Sequence, residues 1–257
     1  MKKILIVFLT VIFSSLCLPT FAMQQDKEVN WHDQGLIYLE NNEYNLAIDA
    51  FTKAMQQDPE DAMHHQYHRG ATYALLKESK KALADLNPAQ KKFTCFYWVY
   101  YYRYPAYSDL KDYKKAELDA QAMVKIDDGK HHGYHALGFV ALQTKDYAKA
   151  LANTNKALRI CANAASYSNR GIAYIKLKEY ELAIKSFDRA LEIDPEYSVL
   201  YYNKAFTLQK LKQNQEAIEY YRLYLEKAGN VDNYSTVNTK NLTKAAEKAI
   251  TKLQKKI

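Results

Sequence analysis

The sequence predicts an all-α solenoid of about six helix–turn–helix units, on three observations. Glycine and proline are scarce, seven and five among 257 residues, about half the usual share. A strand-and-turn fold needs turn residues every ~8–12 positions, so this scarcity favours helices. Small residues, aromatics and alanines also recur along most of the chain with a period near 34. Apolar residues at 48% and charged residues at 25% fit a globular chain and exclude a disordered or polytopic membrane one. The length suffices for one large domain or two ordinary ones.

Residues 1–22 read as an address. Lys2 and Lys3 precede an apolar stretch from Ile4 to Leu18, and Pro19-Thr20-Phe21-Ala22 follows. A short positive end, a short apolar core and a small exit residue form a secretory signal peptide, with cleavage expected after Ala22. A spanning helix needs about 20 apolar residues, and this run is interrupted by Thr10, Ser14 and Ser15. Cys17 does not make a lipidation site, because bulky Leu16 precedes it directly and Ser14 stands where leucine is needed. The short Lys-rich leader points to an exported bacterial protein, periplasmic or secreted.

Cleavage removes two lysines and no acid, lowering the formal charge from +7 to +5. That balance lacks the clustered basic patch of a nucleic-acid binder. Cys95 and Cys161 are the remaining thiols. Two cysteines make no disulfide framework, and lying about two units apart they are not expected to reach one another.

The repeat is visible in three stretches: Trp31-His-Asp-Gln-Gly35-x-x-Tyr38, Tyr134-His-Ala-Leu137-Gly138 and Tyr167-Ser-Asn-Arg-Gly171-x-x-Tyr174. Each glycine is followed in turn by an alanine (Ala47, Ala150, Ala183), a second-helix core residue (Phe51, Thr154, Phe187) and another alanine (Ala54, Ala157, Ala190). Two units close on Asp58-Pro59 and Asp194-Pro195, where a helix must stop. Three further units fit. One carries Gly70, Tyr73, Ala82, Leu86 and Ala89, and the next Tyr100, Tyr107, Tyr113 and Ala116 before Ile126-Asp127. The last carries Tyr201, Ala205, Ala217 and Tyr221.

This pattern resembles the tetratricopeptide repeat, a helix–turn–helix unit of about 34 residues. The resemblance covers roughly residues 28 to 230. It implies a right-handed α-solenoid over 23–230, in units near 28–61, 63–96, 97–130, 131–163, 164–197 and 198–230. A small residue at the eighth position and alanine at the twentieth let the two helices of a unit approach. A large side chain there overpacks by about 1–3 kcal/mol. The aromatic at the eleventh position and the bulky residue at the twenty-fourth fill the space beside the crossing, each contributing roughly 1.5–3 kcal/mol. No unit buries its face alone, so stability comes from stacking.

The third unit departs from the pattern. Tyr104 takes the small position and Ala120 the bulky one, an exchange across the crossing that conserves volume. Pro105 then lies inside the predicted first helix, where a bend is expected. Residues 231–257 form a polar connector and a final helix. Leu242, Ala246, Ile250, Leu253 and Ile257 make an apolar stripe on that helix, with six lysines elsewhere on it. A solenoid needs a terminal cap with a polar outer face. The rival, a basic membrane-surface helix, is disfavoured by a small apolar face without aromatics.

No phosphate loop, HExxH, nucleophile elbow or CxxC is present, and the carboxylates fall on turns and outer faces. Catalysis and a cofactor are therefore not expected. All seven histidines fall in predicted first helices, and His64/His68 and His131/His135 have the one-turn spacing of paired metal ligands. Two ligands from one helix are half a site, and no carboxylate or cysteine obviously completes it, so no metal is expected. Their ordinary pKa does permit pH-sensitive binding.

The resemblance implies that positions 2, 5, 9, 12 and 13 of each first helix line a concave groove. Here they place His32, Leu36, His64, Tyr67, Trp98, Tyr101, His132, His135 and Phe139 in its first four units, and Ile172, Lys176, Tyr202, Phe206 and Lys210 in its last two. Exposed aromatics in a row mark a recognition surface, and Tyr and Trp bury area at low entropy cost. Asn169 matches part of the family's two-carboxylate clamp. His135, Phe139, Val199 and Asn203 stand where the clamp needs Lys, Asn, Lys and Arg, so the clamp is not carried over. The expected function is a non-catalytic scaffold of the cell envelope or secreted space that binds a peptide segment of a protein partner. No nucleic acid, and no stable membrane insertion after cleavage, is expected. Two alternatives stand: a self-assembling structural subunit, and a periplasmic metal or glycan binder.

Overall fold

The computed structural model describes residues 29–228 and 239–256. The signal segment 1–22, most of the polar connector and Ile257 lie outside the described residues. Among the described residues every regular element is helical. Unit 1 comprises α1 (Trp31–Glu40) and α2 (Tyr44–Gln57); unit 2, α3 (Ala62–Leu75) and α4 (Ser79–Lys92); unit 3, α5 (Tyr97–Asp109) and α6 (Tyr113–Ile126). Unit 4 holds α7 (His131–Gln143) and α8 (Tyr147–Ile160); unit 5, α9 (Ala164–Leu177) and α10 (Tyr180–Ile193); unit 6, α11 (Ser198–Lys210) and α12 (Asn214–Lys227). A last helix, α13 (Thr239–Gln254), closes the solenoid.

Each unit turns at the same place by the same device. Asn42, Lys77, Lys111, Lys145, Lys178 and Lys212 are left-handed, with φ from 59° to 65°. Behind each, backbone bonds close the helix end; in unit 3 Asp112 N–H donates to Tyr107 O at 2.9 Å and Lys111 N–H to Ser108 O at 2.9 Å. These paired bonds satisfy carbonyls that the helix end leaves over. Lysine at such a φ costs about 1–2 kcal/mol against glycine, and the bonds hold it there.

The crossing inside each unit follows the small-against-large rule. A Cβ at Gly171 would lie 2.5 Å from the Phe187 ring, and one at Gly35 would lie 2.6 Å from Phe51. In unit 3 the order is inverted: Ala120 is fully buried and Tyr104 packs into its cluster. The helix α5 runs unbroken through Pro105.

A second brace repeats across the crossing, sixteen residues apart in sequence. Arg69 Nε donates to Asp85 at 2.8 Å, Arg103 Nε to Asp119 at 2.8 Å, and Arg170 Nε to the Ser186 hydroxyl at 3.1 Å. In unit 6 Lys204 Nζ lies 2.6 Å from both Asp188 and Tyr220. The Arg–Asp pairs are forked, because a second guanidinium nitrogen meets the other carboxylate oxygen.

Odd-numbered helices of successive units touch one another, α3 with α5, α5 with α7, α7 with α9 and α9 with α11. No pair of even-numbered helices touches to that extent among the described residues. The odd layer is therefore the tighter, inner side of the stack. At the C-terminal end α13 lays Leu242, Ala246, Ile250 and Leu253 against Tyr221, Tyr224 and Leu225 of α12, burying Ala246 and Leu253 completely. Burial of that stripe covers the open face of unit 6. No described helix is long and apolar enough to cross a membrane.

Candidate functional site

The inner layer carries a run of rings that continues from helix to helix. Trp98 and Tyr101 of α5 meet edge to face at 5.2 Å, and both reach His132 of α7, at 6.2 and 5.1 Å. Tyr101 contacts Tyr102 at 5.2 Å, Tyr102 contacts Tyr67 of α3 at 6.4 Å, and Tyr67 contacts His68 at 4.8 Å. His68 stacks on Phe51 of α2 at 5.3 Å and lies 5.0 Å from His32 of α1. Edge-to-face geometry at these separations adds to the burial energy of each ring. Trp98 remains 37% exposed, so its face stays available to a partner.

Two histidine groups occupy this layer. In the first, His32 from α1 meets His64, His65 and His68 from α3, with ring centroids 4.9–5.0 Å from His32. His65 Nδ1 lies 3.0 Å from His32 Nδ1, and His64 Nδ1 lies 3.3 Å from the Asp61 carboxylate. Burial, then the neighbouring imidazoles, push the His68 pKa down to about 3 and lower that of His32. In the second group the His131 and His132 rings lie tilted with centroids 4.0 Å apart, and His135 shares a hydrogen bond of 3.0 Å with the Ser166 hydroxyl of α9. Burial holds His135 down near 4 and also lowers His131 and His132.

Two polar atoms on this face have no hydrogen-bond partner although buried: His132 Nδ1 and Asn169 Nδ2. Leaving such an atom unpaired costs about 1–3 kcal/mol.

The residues predicted for the groove divide. His32, His64, Trp98, Tyr101 and His132 belong to the two ring groups, and His135 lies beside the second. Lys176 and Lys210 are exposed, and Lys210 Nζ caps the Phe206 ring at 5.0 Å. Leu36 is half-buried. Tyr67 corrects the prediction: at 6% exposure it is core, packed with Leu83, Leu86 and Val99. Tyr202 is half-buried, and its ring meets Tyr221 and Tyr224 of its own unit's second helix at 5.5 Å each. Ile172 and Phe139, both half-buried, pack against core clusters, and Asn169 is buried. Val99 of unit 3 helps close over Tyr67, and residues of unit 4 pack against Ile172.

The sequence offered no obvious carboxylate or cysteine to complete a histidine pair; the structure adds a third imidazole. His32, from a different helix, brings three imidazoles together, and the potential ligand atoms of His32, His64 and His68 lie within 4.8 Å of one another. A second set, Asp61, His64 and His65, meets the same limit. His65, His68 and Tyr102 were absent from the predicted groove, though one signal for the first two was available. His32 and His65 are 33 residues apart, about one repeat, and residues one repeat apart stack side by side.

Profiles described as tetratricopeptide repeat match residues 30–61, 164–197 and 186–219. Small glutamine-rich tetratricopeptide repeat-containing protein 2 of Saccharomyces cerevisiae is 33% identical over 114 residues, 44% of this chain and 32% of that protein. This chain thus spans about a third of that relative's length. Among solved structures, the APC/C hetero-tetramer Cut9–Hcn1 superposes with a TM-score of 0.71 at 22% identity, covering 84% of this chain and 42% of that one. A tetratricopeptide repeat protein from Parabacteroides merdae superposes with a TM-score of 0.64 at 14% identity, covering 84% of this chain and 97% of that one. At these identities the likeness is one of fold.

Proposed function

Because three stretches of this chain match tetratricopeptide-repeat profiles, we propose that it is a non-catalytic scaffold that holds a peptide segment of a protein partner along its inner face. Proteins of this repeat generally mediate protein–protein interactions. The observation that carries the reading is the ring run from Tyr102 through Tyr101 and Trp98 to His132, crossing from α5 to α7, with Trp98 at its exposed edge. Such a surface holds an extended or helical segment by stacking. Affinity in the micromolar range, about −8 kcal/mol, is expected of such a surface.

The scaffold works after export, in the periplasm or outside the cell. Lys2 and Lys3 ahead of the apolar stretch Ile4 to Leu18 support that placement. No catalytic motif in the sequence competes with a binding role.

A crosslinked pull-down from the source cell envelope, run with wild type and Trp98→Ala/Tyr101→Ala, tests the reading. Circular dichroism first establishes that the variant is folded. A partner captured by wild type and lost in the folded variant supports the groove. Recovery of the same set with both baits, or of this chain alone, overturns it, the latter in favour of self-assembly.

A further inference from the structure

We propose that His32, His64 and His68 form a tri-imidazole site for a divalent transition metal of the zinc class, at the junction of units 1 and 2. The site is separate from the aromatic edge at Trp98 and does not depend on the peptide-binding reading.

Two observations converge on it. The first is proximity across helices. His64 and His68 stand one turn apart on α3, and His32 reaches them from α1, so that one donor atom from each lies within 4.8 Å of the others. Tetrahedral zinc with Zn–N bonds of about 2.0–2.1 Å holds its donors ~3.4 Å apart. The remaining contraction is within reach of small rotations of the imidazoles.

The second is what stands behind the ligands. A metal-binding histidine usually donates its other ring N–H to a carboxylate or similar acceptor, which fixes its tautomer and orientation. His64 has such a carboxylate in Asp61, 3.3 Å from its Nδ1. His32 has His65, Nδ1 to Nδ1 at 3.0 Å. When His32 donates in that bond, its lone pair sits on Nε2, the nitrogen that would then bind metal. Two of the three ligands therefore have outer partners suited to the metal-binding tautomer.

Three imidazoles suit zinc, copper(II) or nickel(II) over the oxygen-seeking magnesium and calcium. The fourth position falls to water, with Asp61 kept as the outer partner of His64.

The test is calorimetric titration of the full chain, free of any polyhistidine tag, with zinc sulfate. The variants are His64→Gln, His32→Gln, Asp61→Asn and His131→Gln, each checked by circular dichroism. His64 is half-exposed, so its variant keeps the comparison interpretable if His32→Gln fails to fold. Wild type should bind one equivalent with micromolar or tighter affinity. His64→Gln should bind at least tenfold more weakly, Asp61→Asn several-fold more weakly, and His131→Gln like wild type. No saturable binding in wild type overturns the proposal. So does unchanged affinity in His64→Gln, or loss of the site in His131→Gln instead.

Discussion

Units 3 and 5 solve the same packing problem with opposite residues. In unit 5 Gly171 sits under the Phe187 ring and Arg170 bonds a neutral hydroxyl, Ser186. In unit 3 the large residue has moved to the first helix as Tyr104, the small one to the second as Ala120, and Arg103 pairs with buried Asp119. Unit 3 also carries Trp98 and Tyr101 at the second and fifth positions of its first helix, where unit 5 has Ala165 and Ser168. The crossing needs a filled volume and a brace, and the chain is free to choose which helix supplies each. That freedom lets units 2 to 4 load their odd helices with rings and histidines while keeping the register of the stack.

The largest expected effect tests the brace. Arg103 and Asp119 are 9% and 2% exposed, so Arg103→Met leaves a buried carboxylate unpaired and should cost about 3–5 kcal/mol. Arg170→Met removes bonds to two neutral acceptors, the Ser186 hydroxyl, which still donates to Leu182 O, and Asn155 Oδ1, and should cost about 1 kcal/mol. Urea unfolding of the two variants measures the difference, and equal losses would mean that the braces do not differ in the way their charges imply.

The crossing comes next. Ala120→Phe should destabilise by about 1–3 kcal/mol through overpacking. Adding Tyr104→Gly to it should restore most of the loss, because the pair then resembles Gly171 and Phe187 of unit 5. A double-mutant cycle with no coupling would separate the two residues energetically.

Acid sensitivity sharpens the contrast further. His135 in unit 4 has its pKa held near 4, against an ordinary 6.5, by burial and then by His131 and His132. Below about 6.5 the unfolded chain takes up this proton and the folded chain does not, so stability falls as pH drops from 6.5 towards 4 and is unaffected above 6.5. Thermal melts across that window should show His135→Gln losing less stability than wild type, by on the order of 2 kcal/mol at the acid end. Parallel curves would mean His135 titrates normally.

Much of this architecture was legible in the sequence, because the crossing residues are local: Gly35 with Phe51, Gly171 with Phe187 and Tyr104 with Ala120 fall at fixed offsets within a unit. The inner face was legible only in part. Whether a position opens to water depends on how far the next unit rotates over it and how bulky its residues are. Tyr67 is closed over by Val99 and its neighbours, and Tyr202 turns to its own second helix. The meeting of His32 with His65 and His68 likewise arises between units, where within-helix spacing carries no signal.

The most direct test of the central claim uses the chain's two tryptophans, Trp31 and Trp98. In Trp31→Phe, Trp98 is the sole indole, and acrylamide quenching reports its exposure. With the partner segment from the pull-down added to saturation, quenching should fall several-fold and the emission should shift to shorter wavelength. Quenching unchanged at saturation would put the partner on another face and contradict the account.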